Sequence, residues 1–349
     1  MKTITRFVFS VAVLLPLSIV VCSGRKDKGV SFSFSDFETR TIKIDQVKFS
    51  PIVLDAISST VKKLDKSVLI LAPRSSDYLV LQCDFETGTT KKLVHRGRGP
   101  RELLGVAEVH VSDDAVYFYD VNSRKVLQYY RFPGDSLSFH SEISLEDNFV
   151  RILPDSRGGF LGFPMNKGRF SSISSRGITE RTFGSFPPIK GPKEAVNNSA
   201  LASHAVFSPD GSTMCSVFRR MDCIEFYNKN YSLIKRLYGP EHRIPEVSVK
   251  RVSVGVMYVA SPLYFSFSGA CAAGGGVIMV YIGDEMKSPD DPERGIKTLL
   301  SFDWAGNCKV RYNLPFELVN FDVDSENWVT GVTLDYEHPQ IVRFPLPDR

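Results

Sequence analysis

The chain has 349 residues, 43% of them hydrophobic and 23% charged, with a formal net charge of +4. That mixture is ordinary for a folded globular protein and excludes general disorder. The charge falls to +2 once Lys2 and Arg6 are assigned to a removed leader, so the basic footprint of a nucleic-acid binder is missing. The 25 Phe and 13 Tyr, together with many Val, Ile, Ser and Thr, favour strands over helices.

Lys2 and Arg6 precede an apolar run over residues 7–21 (FVFSVAVLLPLSIVV) that contains Pro16. The run is shorter than the roughly 20 residues a spanning helix needs. A basic start, an apolar centre and small residues after it read as a secretory signal. The run stops at Cys22, before Ser23 and Gly24. This end resembles a lipoprotein signal, in which the cysteine becomes the lipidated first residue. Val21 stands where such signals carry a small residue, and cleavage after Gly24 is the alternative. The expected organisation is a signal over 1–21, Cys22 and a linker over 22–40, and one domain over 41–349. The expected location is the cell envelope, with a lipid anchor in the membrane and the domain facing the periplasm or the cell surface.

Further along, one short motif returns: GPRE at 99–102, GPKE at 191–194 and GPE at 239–241. The offsets correspond to a unit of about 46 residues. Turn signals at 112–114 (SDD), 154–156 (PDS), 209–211 (PDG) and 325–327 (SEN) keep the same beat, and apolar runs follow them. The unit is clearest over 109–144, where VHV, VYFYD, VLQYY and FHSEISL are separated by turns. Residues 205–238 repeat that plan. Four short antiparallel strands per 40–50 residues make the blade of a propeller. Units near 65, 110, 155, 205, 270 and 320 predict an all-β, six-bladed β-propeller. Seven blades are the alternative, because 240–262 is hard to assign. The polar segment 284–295 expands the fifth unit, and residues 41–49 (TIKIDQVKF) are expected to close the ring against the last blade.

The segment HRGRGPRELL at 95–104 resembles the TolB-like six-bladed propellers of bacterial lipoproteins, which carry a G-x-G-P-x-E loop after the first blade. Gly97, Gly99, Pro100 and Glu102 match that loop. Asp120, Asn122, Lys125 and Val126 match the strand end and the N-x-x-K/R-V segment that follow it. The resemblance implies a propeller in the envelope and little about activity. Two glycines and a proline make the loop a compact connector, with Glu102 accepting from backbone amides or pairing with Arg98 or Arg101. A ligand contacted by Arg98, Arg101 and Glu102 at a channel mouth is the functional alternative.

No chemistry is evident from spacing. The six histidines include no HExxH or H-x-H pair, and no GxSxG elbow is present. Asp120, Asn122 and Asp210 are the candidate metal ligands, with Ca2+ the ion such oxygen donors would take; each also sits where turns favour Asx residues. Five cysteines remain after Cys22, none in a CxxC pair, and Cys83, Cys215 and Cys271 read as buried thiols. The glycine-rich stretch 269–276 lacks the ending of a phosphate loop and reads as packing near the axis. Basic pairs such as Lys62-Lys63, Lys91-Lys92 and Arg219-Arg220 read as solvated faces, with an anion-attracting arginine ring as the alternative. The expected function is a non-catalytic module that binds a protein, peptide or glycan. The competing class is a metal-dependent hydrolase or lyase with residues from several blades.

Overall fold

The computed structural model describes residues 29–347, apart from 53, 55–57, 59, 73, 166–167, 254, 286–295 and 336. The signal segment and Cys22 lie outside the described residues. Blade one contains Val61–Lys63, Ser67–Leu71, Tyr78–Asp84 and Thr90–Arg96; blade two contains Glu108–Val111, Ala115–Asp120, Lys125–Phe132 and Ser136–Ser144. Blade three is Phe149–Pro154, Phe160–Pro164, Phe170–Ile173 and Thr179–Phe183, and blade four is Ser203–Phe207, Thr213–Phe218, Cys223–Asn228 and Leu233–Tyr238. Blade five consists of Tyr264–Ala273, Gly276–Glu285, Ile296–Asp303 and the first half of Cys308–Val323. That 16-residue strand then becomes the innermost strand of blade six, pairing with Trp328–Thr333, which pairs with Ile341–Pro345.

The burial of each strand follows from this stacking. The second strand of each blade has sheet neighbours on both sides and another blade on both faces. It is therefore apolar almost throughout: all five residues of Phe160–Pro164 are buried. Outer strands meet water on one face and alternate, as Ser136–Ser144 does. The tight turns are made by residues that accept positive φ, such as Gly211 at +66° in the Pro-Asp-Gly turn.

The buried apolar side chains among the described residues divide into seven clusters, six of them between successive blades and one between blade four and the hairpin of residues 246–261. Phe118 and Leu127 of blade two meet Leu69 and Val80 of blade one, and Val332 and Ile341 of blade six meet Val61 and Val68 of blade one. Two stacked flat layers would share one core; a closed ring has as many cores as sheets. The chain closes that ring where expected. Lys48–Phe49 pairs antiparallel with Ile341–Pro345, and the Ser50 amide donates to the Ile341 carbonyl at 2.9 Å.

Three segments depart from the sequence reading. Residues 240–262 do not form a seventh blade; Glu246–Val252 and Gly255–Ser261 form a separate hairpin, fastened by a bridge between Lys190 and Glu246. Much of its outer part, Val249, Val252, Val256 and Met257, is exposed. The stretch read as a linker supplies edge strands instead. Val30–Ser31 adds in parallel to blade four and Glu38–Thr41 to blade five, because Phe32 and Phe37 are buried edge-on to Phe302, with centroids 5.4 and 5.2 Å away. Gly269 does not relieve crowding at the axis: a Cβ there would meet nothing within 4 Å.

Candidate functional site

The innermost strands of all six blades surround an axial cavity of about 1290 Å³. Ser268 to Gly274 form the wall of blade five, and their small side chains leave this side of the channel wide. The other walls are charged. Lys62 of blade one reaches Asp322 of blade six, Nζ to Oδ1 3.3 Å, and Asp322 Oδ2 accepts from the Lys63 amide at 2.9 Å. Burial opposes the Lys62 ammonium, but the Asp322 carboxylate outweighs it, and the pKa rises above the ordinary value. Cys271 lies beside this pair, and burial pushes its thiol up to about 12, so it stays protonated and unreactive.

A second network joins blades two, three and four. Arg151 contacts Glu108 closely through Nη1 and donates from Nη2 to His204 Nε2 at 3.1 Å. His204 is therefore neutral with its proton on Nδ1, in keeping with a pKa that burial, then Arg151 and Arg219, hold well below the usual range. His110 Nε2 stands 3.7 Å from Glu108 Oε2. Burial lowers its pKa to about 4 despite that carboxylate. Neither His110 Nε2 nor Arg151 Nε has a hydrogen-bond partner among the described residues.

The two mouths differ. Where the innermost strands end, Asp65, Asp155 and Asp324 are held by Arg131, Arg157 and Arg343. Where those strands begin, the turn after Thr213–Phe218 presents Arg219 and Arg220. Their guanidinium carbons each lie 5.0 Å from the centre of the Phe265 ring, and Arg243 lies 5.7 Å from that of Tyr264. Asp222, on the same turn, is buried; burial raises its pKa even though it accepts from the Arg243 amide and the Tyr281 hydroxyl, both at 3.3 Å.

The residues singled out from sequence lie elsewhere. Arg98 and Arg101 are exposed outside blade one. Arg101 stacks on Phe139 at 4.4 Å, and Glu102 Oε2 accepts from the Gly99 amide at 2.8 Å. Glu102–Leu103 adds in parallel to the outer strand of blade one. These three residues form the exit from blade one and are not part of the channel lining. The carboxylate of Asp120 accepts from the amides of Leu104, Gly105 and Asn122 and from Ser123 Oγ. Asp210 accepts from Ser208 and Ser212, which lower its pKa to about 2. Asp120 and Asn122 follow a second strand, whereas Asp210 follows a first strand. The fold thus sets them on opposite faces of the ring, where they cannot share one ion. No cluster of three or more His, Cys, Asp or Glu suited to a metal occurs among the described residues.

Conversely, Lys62 and Arg219-Arg220, read as solvated pairs, line or border the channel, whereas Lys91 and Lys92 are exposed. A local signal existed for one of them. Arg219-Arg220 sit between Phe218 and Met221, both fully buried, a context unlike that of a solvated pair. His110, Arg151, His204 and Asp322 carried no signal, since they meet only when six distant strands close on one axis. All five cysteines among the described residues are free, four of them buried.

Solved structures share this architecture. A Bacteroides vulgatus member of the DUF4221 family superposes with a TM-score of 0.56 at 11% identity, covering 87% of this chain and 98% of its own. A Bacteroides fragilis protein named for its inferred export gives 0.51 at 12% identity, covering 91% and 99%. At such identities the likeness concerns the fold alone. No curated protein matches the sequence. The model of the TolB-like 6-blade propeller family matches residues 60–326, in accord with the blade pattern and the ring-closing strand, and the chain belongs to that family.

Proposed function

We propose that this propeller is an exported, non-catalytic binding module that takes its ligand into the axial channel and is held at the membrane by a lipid on Cys22. One observation carries the binding reading: an axial cavity of about 1290 Å³ bordered by polar atoms, His110 Nε2 and Arg151 Nε, that the ring itself leaves without partners. Buried polar atoms of this kind cost about 1–3 kcal/mol each when unsatisfied, so a ligand that meets them gains affinity. The small residues of blade five leave room for a sugar or a peptide side chain. Export is supported by the basic-then-apolar start of the sequence. No helix among the described residues is long and apolar enough to cross a membrane.

Gly269→Trp tests the binding reading, because the wall has space for the added ring. A panel of peptides, oligosaccharides and small anions is titrated against both forms by thermal shift. The reading expects compounds that raise the unfolding temperature of the native chain and lose that effect in the plugged variant. Compounds that bind both forms equally, or a panel in which none binds, overturn it. For the anchor, Cys22→Ala is expected to leave the membrane fraction; unchanged membrane association contradicts lipidation.

A further inference from the structure

Five of the six blades each send a polar side chain to one belt around the axis, and the charges in that belt alternate. Asp322 of blade six is followed by Lys62 of blade one, Glu108 of blade two, Arg151 of blade three and His204 of blade four. Neighbours in the belt are linked. Lys62 Nζ lies 3.3 Å from Asp322 Oδ1, Arg151 contacts Glu108 through Nη1, and Arg151 Nη2 donates to His204 Nε2 at 3.1 Å. Blade five faces the belt with Gly269, Ala270 and Cys271, and a Cβ added at Gly269 would meet nothing within 4 Å. The belt therefore surrounds a space that is open on one side.

The paired groups keep part of their surface open to the channel they line. Lys62 and Asp322 are 27% and 15% exposed, and Arg151 and Glu108 are 20% and 15% exposed. Two cations stand against two carboxylates. His204 and His110 add no charge, because burial holds both imidazoles neutral. The four charged groups thus sum to zero, yet they hold more hydrogen-bonding capacity than their mutual contacts use: an ammonium has three N–H donors, a guanidinium five, and a carboxylate about four acceptor sites.

This arrangement discriminates among ligands. A ligand carboxylate or ammonium finds its counter-charge already engaged and must part a half-buried pair, which strands a charge. A hydroxyl group is both donor and acceptor. It can donate to the carboxylate of a pair and accept from the cation beside it without separating them. An uncharged ring rimmed with hydroxyls repeats that match around the belt.

We propose that the belt holds one neutral sugar ring, its hydroxyls bridging the Lys62–Asp322 and Arg151–Glu108 pairs and its body filling the space beside blade five. This names the ligand class of the channel-binding reading and rests on it. A free monosaccharide and the end of a glycan share this chemistry, and the experiment separates them.

The full-length chain is titrated calorimetrically with glucose, galactose, mannose, fucose, N-acetylglucosamine, maltotriose and cellotriose, and with glucuronate, glucosamine and free glycine as charged probes. The native protein is compared with Lys62→Met/Asp322→Asn, Gly269→Trp and Lys229→Gln. The double variant removes a whole ion pair, so no charge is stranded, and Asn keeps an acceptor for the Lys63 amide that Asp322 now holds. Lys229 is exposed on a turn of blade four. The expected result is a neutral sugar that binds at least tenfold tighter than the charged probes. Its affinity changes less than about twofold between low salt and about 0.15 M. Binding weakens at least tenfold in the double variant and in Gly269→Trp, and is unchanged in Lys229→Gln. A trisaccharide that outbinds its monosaccharide identifies a glycan end; equal affinities identify a free sugar. No binding of any neutral sugar, or equal affinity in the native and double-variant proteins, overturns the proposal. The plugged variant judges the channel separately. If a charged probe binds more tightly than every neutral sugar and loses that binding in Gly269→Trp, the channel reading stands and the neutral-sugar proposal falls. If Gly269→Trp alters the binding of no probe, both fall. Circular dichroism of each variant confirms that lost binding is not lost folding.

Discussion

Arginines in and around blade four fall into two sets with different surroundings. Arg169 and Arg236, at the junction with blade three and within blade four, share the Glu225 carboxylate, although Arg169 Nε has no hydrogen-bond partner among the described residues. Arg169 is 0% exposed and donates to Asn198 Oδ1, Ser203 Oγ and Ser216 Oγ, each at 2.8 Å. Arg236 donates from Nε and Nη2 to Glu225 Oε1, and the Tyr227 hydroxyl donates to Glu225 Oε2. Four phenylalanine rings enclose the Arg169 guanidinium. Arg220 and Arg243, at the channel mouth, rest on aromatic faces, and one nitrogen of each, Nη1, is buried without a hydrogen-bond partner among the described residues. The first set is held by a buried carboxylate of its own fold; the second is held by aromatic faces.

Breaking the carboxylate-paired set gives the largest effect expected. Glu225→Gln leaves two buried guanidiniums without their carboxylate, so it should cost about 3–5 kcal/mol in urea unfolding. A loss below about 1 kcal/mol would show that the network is not structural. A second effect comes from the channel wall. His110 is held neutral with a pKa of about 4, below the ordinary value near 6.5, so the unfolded chain takes up its proton first. The His110 contribution is complete above pH 6.5 and is lost as pH falls from there to 4, by about 3 kcal/mol. Native and His110→Gln proteins should therefore converge in stability across that interval; parallel pH profiles would contradict it. Lys62 and Arg151 oppose protonation there and Glu108 favours it.

Smaller changes sharpen the contrast from the other side. Arg220→Gln/Arg243→Gln removes two cation–π contacts but also two partly buried charges, and should shift stability by less than about 1 kcal/mol. A loss approaching that of Glu225→Gln would erase the distinction between the two sets. Smallest of all, Arg98→Ala on the exposed loop after blade one should stay within about 0.5 kcal/mol by the same unfolding measurement.

What could be read from the sequence follows the range of each interaction. Blades were legible because their turns and apolar runs are local: the Pro-Asp-Gly turn at 209–211 and the buried run Thr213–Phe218 are adjacent in the chain. The recurring Gly-Pro motifs mark blade exits, since all three follow outer strands, those ending at Arg96, Phe183 and Tyr238. Ring closure by residues before 50 was legible from topology, since an open ring leaves one core unbuilt. The strap carrying Phe32 and Phe37 was not, because its partners lie hundreds of residues away; the strand shared by blades five and six pairs with its chain neighbours, but no turn residue marks where it passes from one sheet to the next. The channel was hidden for the same reason: Glu108, Arg151 and His204 belong to three blades, and only the closed circle brings them together. Residues with distinctive local patterns, such as Glu102 and Asp120, proved to be the ones whose hydrogen bonds are satisfied nearby.

The most direct test of the distinction between carboxylate-paired and ring-stacked arginines is urea unfolding of the native chain, Glu225→Gln and Arg220→Gln/Arg243→Gln. Glu225→Gln should lose about 3–5 kcal/mol and the double variant less than about 1 kcal/mol. Equal losses in the two variants would contradict the account.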